Sequence, residues 1–287
     1  MRKFFLHEPK IEKEEIFSVN QCLKTGWLSP SGSFVKKFQD KLYKLSKTNL
    51  VLTNSGTSAL HLSLILSNAK EGNEVMVPTI SFIATVNAVL YAGCHPIFFD
   101  CQKNNPNLDI EKVIFFLKNR TFKKNGYTYN ITTKRKISAL IITHVFGNVL
   151  EFSKLKKICK NLKIKIIEDA AEALGSQFKN KKQAGTLGDY GALSFNINKI
   201  ITSSGGGALF IKNKKQIKRA KLLIKQSKTN DILFHHCEAG YNYGMPNIAA
   251  AIGFSQLKRL GKILNLKKKI YKEYMKNFKF NKNIDLI

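Results

Sequence analysis

Arginine, paired cysteines and long hydrophobic runs are all scarce in this sequence. Bidentate recognition of bases and phosphates favours arginine, and the abundant lysines are spread along the whole chain without a nucleic-acid-binding motif. The formal net charge of +29 therefore indicates lysine-rich solvated faces and no specific nucleic-acid partner, although a positive field can attract anionic substrates. Only five of the 48 basic residues are arginine: Arg2, Arg120, Arg135, Arg219 and Arg259.

The cysteines suggest neither a disulfide framework nor a zinc cluster, because they include no CxxC pair. We predict no metal site, and a reducing cytoplasm fits this cysteine usage. No apolar run is long enough for a signal peptide or a membrane span, so we expect a cytoplasmic protein without a membrane partner. The five cysteines are Cys22, Cys94, Cys101, Cys159 and Cys237.

Short apolar runs alternate with helical patterns over most of the chain. With hydrophobic residues at 44%, the chain can bury a sizeable core. Continuous apolar strands between helices indicate an α/β fold with a mostly parallel central sheet and helices on both faces. The polar insertion 118–136 is predicted to be a hairpin or a surface loop. Helices are predicted at 10–24, 33–46, 151–162 and 213–227.

The stretch NSGTSAL follows a short apolar strand and opens an apolar helix. Free backbone N–H groups at a helix N-terminus, together with the hydroxyls of Thr57 and Ser58, make an anion site that suits a phosphate. Ser55 or Thr57 could instead serve only as a helix cap, and the sequence leaves both possibilities open.

Two polar residues follow apolar strands at the sheet edge where ligands bind. A carboxylate at Asp169 is costly there unless a cation or several donors pair with it, and a protonated ring nitrogen would be a suitable partner. The alternative is that Asp169 caps a helix beginning at Ala170. His144 either contacts substrate or is a satisfied structural histidine.

Lys199 lies in the polar loop of SFNINKIITSSGGGALF, just before glycines that allow close backbone approach. A partly desolvated lysine amine can form a Schiff base with an aldehyde cofactor. Pyridoxal phosphate needs such a lysine, an acid for its ring nitrogen, a phosphate cup and a stacking aromatic. Phe82 can stack on the ring and Ser194 can join the phosphate cup, so the sequence favours this cofactor over a set of ordinary turns.

Six motifs occur in an order that resembles the DegT/DnrJ/EryC1 family of sugar aminotransferases. They are SGTSALHLSL, VPTISFIATVNAV, THVFGN, IEDAAEALGS, GDYGALSFNINKIITSSGGG and GYNYGMPNIAAAIG. The resemblance runs from about Leu6 to Lys279, and the insertion TFKKNGYTYNITTKRKISALI is similar to the branch acting in legionaminic acid pathways. It implies the aspartate-aminotransferase fold, which is fold type I of the pyridoxal-phosphate-dependent transferases.

The resemblance also implies residue roles. Lys199 would carry the cofactor and shuttle a proton, while Asp169 would keep the pyridine nitrogen protonated. Phe82 occupies the position of the stacking aromatic. Glu172 stands near the cofactor's 3-hydroxyl, where many members have Gln or His. The phosphate would be held by Thr57, Ser58 and Ser194.

Asn242 in GYNYG matches a residue that reaches the phosphate in the other subunit, which implies a homodimer with shared active sites. Two positions depart from the family pattern. Gly244 stands where the family commonly has Arg, and Ser203–Ser204 replace a more usual Thr-Gly pair.

The resemblance implies three parts: an N-terminal segment at 1–20 that packs on a small domain, a large cofactor-binding domain at 21–250, and the start of the small domain at 251–287. Because family members continue past KKKIYKEYMKNF, we expect the small domain to be incomplete.

The implied function is amino transfer from an amino acid, expected to be glutamate, to a nucleotide-linked 4-keto-6-deoxy (amino)sugar. Such enzymes serve surface-glycan or nonulosonate biosynthesis. Sugar dehydration is disfavoured, since relatives that perform it carry His in place of Lys199. The alternative is an impaired or non-enzymatic protein that binds pyridoxal phosphate or a sugar nucleotide without turnover.

Overall fold

The computed structural model describes residues 8–230 and 232–279. The helices in this part of the chain are α1 (Lys13–Thr25), α2 (Ser33–Ser46), α3 (Gly56–Leu66), α4 (Ile83–Tyr91), α5 (Ile110–Asn119), α6 (Ser153–Asn161), α7 (Gln216–Leu223), α8 (Asn247–Lys258) and α9 (Leu260–Phe278). The strands are β1 (Leu50–Thr53), β2 (Glu74–Pro78), β3 (His95–Phe99), β4 (Cys101–Gln102), β5 (Asn105–Leu108), β6 (Thr121–Lys124), β7 (Tyr127–Asn130), β8 (Ile137–Thr143), β9 (Lys165–Asp169), β10 (Tyr190–Ser194), β11 (Gly207–Ile211), β12 (Lys228–Asn230) and β13 (His235–His236).

Seven strands form one sheet in the order β1-β11-β10-β9-β8-β2-β3. Neighbours from β10 to β3 pair in parallel, whereas β11 is antiparallel to both β10 and β1. Among these seven strands, β11 alone runs against the others. Its first residue, Gly207, pairs with the last residues of β1 and β10, Thr53 and Ser194. The start of β11 therefore lies at the edge where the parallel strands end.

Alternate strand residues feed two hydrophobic clusters, one on each face of the sheet, because successive side chains of a strand point to opposite faces. Leu50 and Leu52 of β1 join one cluster with α2, α5, α6 and α8, while Val51 joins the other with α3, α4 and α7. The sequence prediction of a mostly parallel sheet with helices on both faces is confirmed.

Several local predictions can be compared with the structure. Helix α2 has the predicted bounds, and the polar insertion contains the β6–β7 hairpin. The predicted helix at Ala170, considered as the alternative role for Asp169, does not form: in the described chain, turns follow β9. The Asp169 carboxylate instead accepts a hydrogen bond from the Ala171 N–H at 3.2 Å, and Gly175 has a φ of 92°, which is incompatible with a right-handed helix.

Helix α1 packs against α8, joining the N-terminal segment to the last part of the fold. The hydroxyls of Ser18 and Ser255 lie 2.8 Å apart, and the Arg259 guanidinium donates to the buried Glu15 carboxylate at 2.8 Å. Helix α8 runs across the boundary predicted at residue 250. Residues 1–7 and 280–287 of the predicted terminal parts lie outside the described residues.

Helix α9 follows α8 directly and extends from the body of the fold, with Leu260 as its one buried residue. Lysines recur along most of its length. Neither α9 nor any other helix of the described chain is both long and apolar enough to cross a membrane.

Candidate active site

A cavity of about 480 Å³ lies at the edge where the parallel strands end. This volume falls within the range of small-molecule and cofactor sites. Its walls come from the segments that follow β1, β2, β8, β9 and β10. Six of the residues that the sequence assigned to the cofactor line it: Thr57, Phe82, Asp169, Glu172, Ser194 and Lys199.

The N-terminus of α3 opens into this cavity. Ser55 caps the helix by accepting a hydrogen bond from the Ser58 N–H at 3.0 Å. The N–H groups of Gly56 and Thr57 have no partner among the described residues, as expected at the start of a helix. Together with the Thr57 hydroxyl they make a cradle for a phosphate. Capping by Ser55 therefore leaves the N–H groups of Gly56 and Thr57 available to an anion.

Two glycines allow the backbone to close tightly around this cradle. A Cβ on Gly207 would lie 2.5 Å from the carbonyl oxygen of Ser55. A Cβ on Gly56 would lie 2.9 Å from the Cβ of Ser194. Any larger residue at either position would push α3 away from β10 and β11. Gly56 in the cradle and Gly207 beyond Lys199 thus allow α3 to lie close to β10 and β11.

Ser58 and Asn242 stand apart from the other predicted residues, because neither lines the cavity. The buried Ser58 hydroxyl donates to the Oδ1 of Asn54 at 2.6 Å and lies 2.8 Å from the Ser55 hydroxyl. Asn242 is exposed, and its carbonyl accepts from the Nδ2 of Asn54 at 3.0 Å. Their predicted contacts with a phosphate stay predictions.

Asp169 ends β9 at the base of the cavity and is buried. Burial raises the pKa of its carboxyl, against hydrogen bonds from the Thr85 hydroxyl at 2.5 Å and the Ala171 N–H. A protonated ring nitrogen in the cavity would supply the cation that offsets this burial. Sequence reasoning missed Thr85, whose signal is the one threonine within the mostly apolar helix IATVNAVLY.

Lys199 projects into the cavity from a tight turn in which its N–H donates to the Asn196 carbonyl at 3.0 Å. Its side chain is only 12% exposed, and its amine lies 2.9 Å from Oε1 of Glu172. The other Glu172 oxygen accepts from the Phe146 N–H at 3.1 Å. The partly desolvated amine is therefore held at a defined place beside the carboxylate.

Two exposed aromatic rings flank the cavity mouth. Phe82 is the N-cap of α4 and is 75% exposed, which leaves its face available for a ring in the cavity. Phe146 is 78% exposed on the opposite loop and was not predicted from sequence. Its signal is weak, because an aromatic residue in THVFGN is equally typical of the core.

Behind the cavity, His144 and Glu168 form a buried pair. The Nδ1 of His144 accepts the Leu150 N–H at 3.2 Å, so its Nε2 donates to Glu168 at 2.9 Å. Glu168 also accepts the N–H groups of Gly185 and Gly188 at 2.8 and 2.5 Å. Of the two roles predicted for His144, these contacts favour that of a satisfied structural histidine. His144 also lines the cavity.

The residues around the cavity fit pyridoxal phosphate: an anion cradle, a buried carboxylate, a partly desolvated lysine and an exposed aromatic ring. Comparison with known proteins agrees. A model of the DegT/DnrJ/EryC1/StrS aminotransferase family matches residues 9–286. The chain belongs to this family.

Individual members of the DegT/DnrJ/EryC1/StrS family show how similar the chain is to known proteins. It is 33% identical to GDP-perosamine synthase of Escherichia coli O157:H7, over 96% of this chain and 72% of that protein. It is 32% identical to the putative pyridoxal phosphate-dependent aminotransferase EpsN of Bacillus subtilis, over 95% and 68% respectively. The structure of Helicobacter pylori PseC, an aminotransferase of pseudoaminic acid biosynthesis, aligns with a TM-score of 0.83 and 26% identity over 98% of this chain and 72% of that one.

Membership of the DegT/DnrJ/EryC1/StrS family confirms three predictions made from the sequence. The chain has the fold of this aminotransferase family, it is an aminotransferase, and its cofactor is pyridoxal phosphate. The narrower assignment to the legionaminic acid branch stays a prediction.

Proposed function

We propose that this aminotransferase moves an amino group from an amino acid, with glutamate as the expected donor, to the keto group of a nucleotide-linked 4-keto-6-deoxy (amino)sugar. The observation that carries the proposal is the convergence of Lys199, Asp169 and the α3 N-terminus on one cavity. The sugar-nucleotide class is supported by relatives such as GDP-perosamine synthase. The product would serve surface-glycan or nonulosonate biosynthesis.

When bound, pyridoxal phosphate supplies an aldehyde that takes up the amine and a ring that accepts electrons. The protein's residues do the rest. Between turnovers the Lys199 amine would hold the cofactor, and once the incoming amine has released it, it would move a proton to or from the reacting carbon. Asp169 would pair with the protonated ring nitrogen, and Phe82 would pack on the ring. The hydroxyls of Thr57 and Ser194 would donate to the phosphate at the N-terminus of α3.

A second cavity of about 770 Å³ adjoins the first and shares Phe146, Glu172 and Lys199 with it. Lys262 and Lys267 of α9 contribute to its wall. Arg259, between α8 and α9, also lines the cavity but is already paired with Glu12 and Glu15. The basic side chains that line this cavity outnumber its acidic ones, which are Glu8, Glu12 and Glu172, and a cleft of net positive charge next to the reacting amine suits an anionic nucleotide sugar.

The proposal is tested by following both halves of the reaction on one sample. Pyridoxal phosphate should give the purified chain a visible absorbance band, glutamate should bleach it, and a nucleotide-linked 4-keto-6-deoxy sugar should restore it while an amino sugar forms. The same keto sugar without its nucleotide is the control and should restore the band far more slowly. A band that neither glutamate nor any other amino acid bleaches would contradict the proposal and favour binding without turnover.

A homodimer with shared active sites is part of the proposal. Asn242 is exposed, and the apolar residues Ile80, Phe82 and Phe146 that line the cavity are exposed as well, so a second copy would cover them. Asn242 of one copy would reach the phosphate in the other.

Complementation tests this arrangement. Lys199→Ala and Asn242→Ala chains are each expected to be strongly impaired alone. After dissociation and mixing, half of the dimers contain one of each, and one of their two sites is intact, so activity should recover to about a quarter of the unmodified level. If Asn242 serves the site of its own chain, or if the chain is a monomer, mixing recovers nothing.

A cytoplasmic location is also proposed. All five cysteines are free thiols in the structure. Burial raises the pKa of Cys94 to about 11 and that of Cys159 to about 12, so both thiols stay protonated. Such cysteines suit a reducing compartment, and fractionation of the producing cells checks the location.

A further inference from the structure

Asn54, between the end of β1 and the cap of α3, uses its side-chain oxygen, its side-chain NH2 and its backbone N–H to join two parts of the site. Its side-chain oxygen accepts from the Ser58 hydroxyl at 2.6 Å. Its Nδ2 donates to the Asn242 carbonyl at 3.0 Å, and its backbone N–H donates to the Tyr243 carbonyl at 2.7 Å. The chemistry fixes the amide orientation, because the Asn242 carbonyl can only accept.

The direction of these bonds determines where the hydroxyl protons of the cradle point. Ser58 has one proton and donates it to Asn54, so Ser55 is the donor in the 2.8 Å contact between the two hydroxyls. Both protons therefore point along a chain from Ser55 through Ser58 to Asn54. An anion at the α3 N-terminus meets the N–H groups of Gly56 and Thr57, while this chain leads away from it.

The series of hydrogen bonds from Ser55 through Ser58 and Asn54 ends at residues Tyr241–Gly244, here called the tyrosine segment. The segment also has backbone contacts on both sides. Gly244 pairs with Thr53 of β1, and at the end of α7 the N–H groups of Tyr241 and Tyr243 donate to the carbonyls of Leu223 and Ile224 at 2.7 and 3.1 Å. A separate contact joins the Tyr243 hydroxyl to Nδ1 of His61 at 3.0 Å. That contact lies one helical turn beyond the cradle, so it holds the tyrosine segment on α3 without involving Ser58.

We propose that Asn54 is a positioning residue that couples phosphate occupancy of the α3 cradle to the tyrosine segment. A bound phosphate restrains the first turn of α3. The hydrogen bond between Ser58 and Asn54 transmits this restraint to the tyrosine segment, which therefore opens less often. The inference rests on the proposed function for the identity of the phosphate, and for the role of Asn242 in the partner's site. Coupling is reciprocal, so a partner docked on the segment also tightens phosphate binding.

Hydrogen exchange at Tyr241 and Tyr243 tests the coupling directly. In the unmodified chain, pyridoxal phosphate should slow exchange at these amides by about fivefold, the factor that one neutral hydrogen bond typically contributes. Asn54→Leu keeps the approximate side-chain shape but removes the amide donor and acceptor, and Ser58→Ala removes only the hydroxyl. With the cofactor at a concentration that saturates the visible band of each variant, so that occupancy is equal, each should lose most of the slowing.

The double variant should lose no more than either single variant, because both break the same chain of bonds. Asn119→Leu, at an exposed asparagine bonded only to the Phe115 carbonyl, is the matched control and should behave like the unmodified chain. Slowing that persists in Asn54→Leu overturns the inference.

Inorganic phosphate separates the inference from the proposed function. If pyridoxal phosphate gives no band but inorganic phosphate still slows exchange through Asn54, the proposed function fails and the coupling stands. If the cofactor binds and turns over without slowing exchange in the unmodified chain, the coupling fails and the proposed function stands.

Discussion

Replacing Lys199 by alanine is expected to abolish the visible band given by pyridoxal phosphate and to lower the rate of amino transfer at least about 10³-fold. General acid–base groups alone contribute roughly 10² to 10⁴-fold, and Lys199 would also hold the cofactor. No other described lysine lines the cavity that contains Asp169 and the α3 cradle. Absorbance titration and single-turnover rates measure the two effects.

The matched control is Lys154→Ala. That lysine is exposed, and its amine lies 2.9 Å from Glu111 on the surface, so its removal changes the net charge equally without touching the site. Unfolding in urea should show little change for Lys154→Ala, because surface pairs contribute little, and it checks separately that Lys199→Ala, whose side chain is only 12% exposed in the unmodified chain, still folds. A band that survives in Lys199→Ala and bleaches with glutamate would assign the chemistry to another amine.

Asp169→Asn is expected to lower the transfer rate about 10²-fold or more while the band is retained. The substitution preserves shape, since an amide can accept from the Ala171 N–H and donate to the Thr85 hydroxyl in place of the contacts that the carboxylate makes. It removes the negative charge that pairs with the ring nitrogen, and loss of one well-placed electrostatic contact costs about 10² to 10³-fold. Rates measured with saturating cofactor separate this effect from weaker binding.

The same substitution should not destabilise the cofactor-free chain. Burial raises the Asp169 pKa above its ordinary value of 3.8, so the folded state keeps this proton to a higher pH than the unfolded state. The free energy of unfolding therefore falls as pH rises from about that value. The neutral amide of the Asp169→Asn chain carries no such cost, so urea unfolding at neutral pH should find the cofactor-free variant at least as stable as the unmodified chain.

Cofactor addition should reverse that order of stability. The protonated ring nitrogen of pyridoxal phosphate can form an ion pair with the Asp169 carboxylate but not with an asparagine at the same position. The cofactor should therefore raise the free energy of unfolding of the unmodified chain more than that of the variant. Equal stabilisation of both chains would show that Asp169 does not pair with the cofactor.

The positions of Thr57, Asp169, Ser194 and Lys199 could be predicted from sequence because backbone geometry decides them. In a parallel sheet, residues that follow neighbouring strands meet at one edge, and short apolar runs locate the strand ends. The register that places Thr143 opposite Asp169, and Ser194 opposite Gly207, follows from the same arrangement.

Other features depend on which partner a side chain finds, and sequence patterns do not encode that. Ser58 has the same local pattern as Thr57, yet its hydroxyl turns towards Asn54 because it falls on the inner side of the first helical turn. Thr85 resembles any hydroxyl in an apolar helix until β9 brings Asp169 within 2.5 Å of it. The turns that follow Asp169 likewise involve a tertiary contact, since the Ala170 N–H donates to the Ala192 carbonyl of β10 at 2.9 Å.

The reversed strand β11 has a consequence for how the site comes into being. β1, which leads directly into the phosphate cradle, lies at the edge of the sheet, and its hydrogen-bonded neighbour there is β11, whose residues are Gly207–Ile211. About 150 residues must therefore be synthesised after β1 before its partner exists, and pairings of such high contact order form slowly. During translation the phosphate cradle lacks its neighbouring strand until β11 has left the ribosome. We therefore expect the nascent chain to bind its cofactor only late in synthesis.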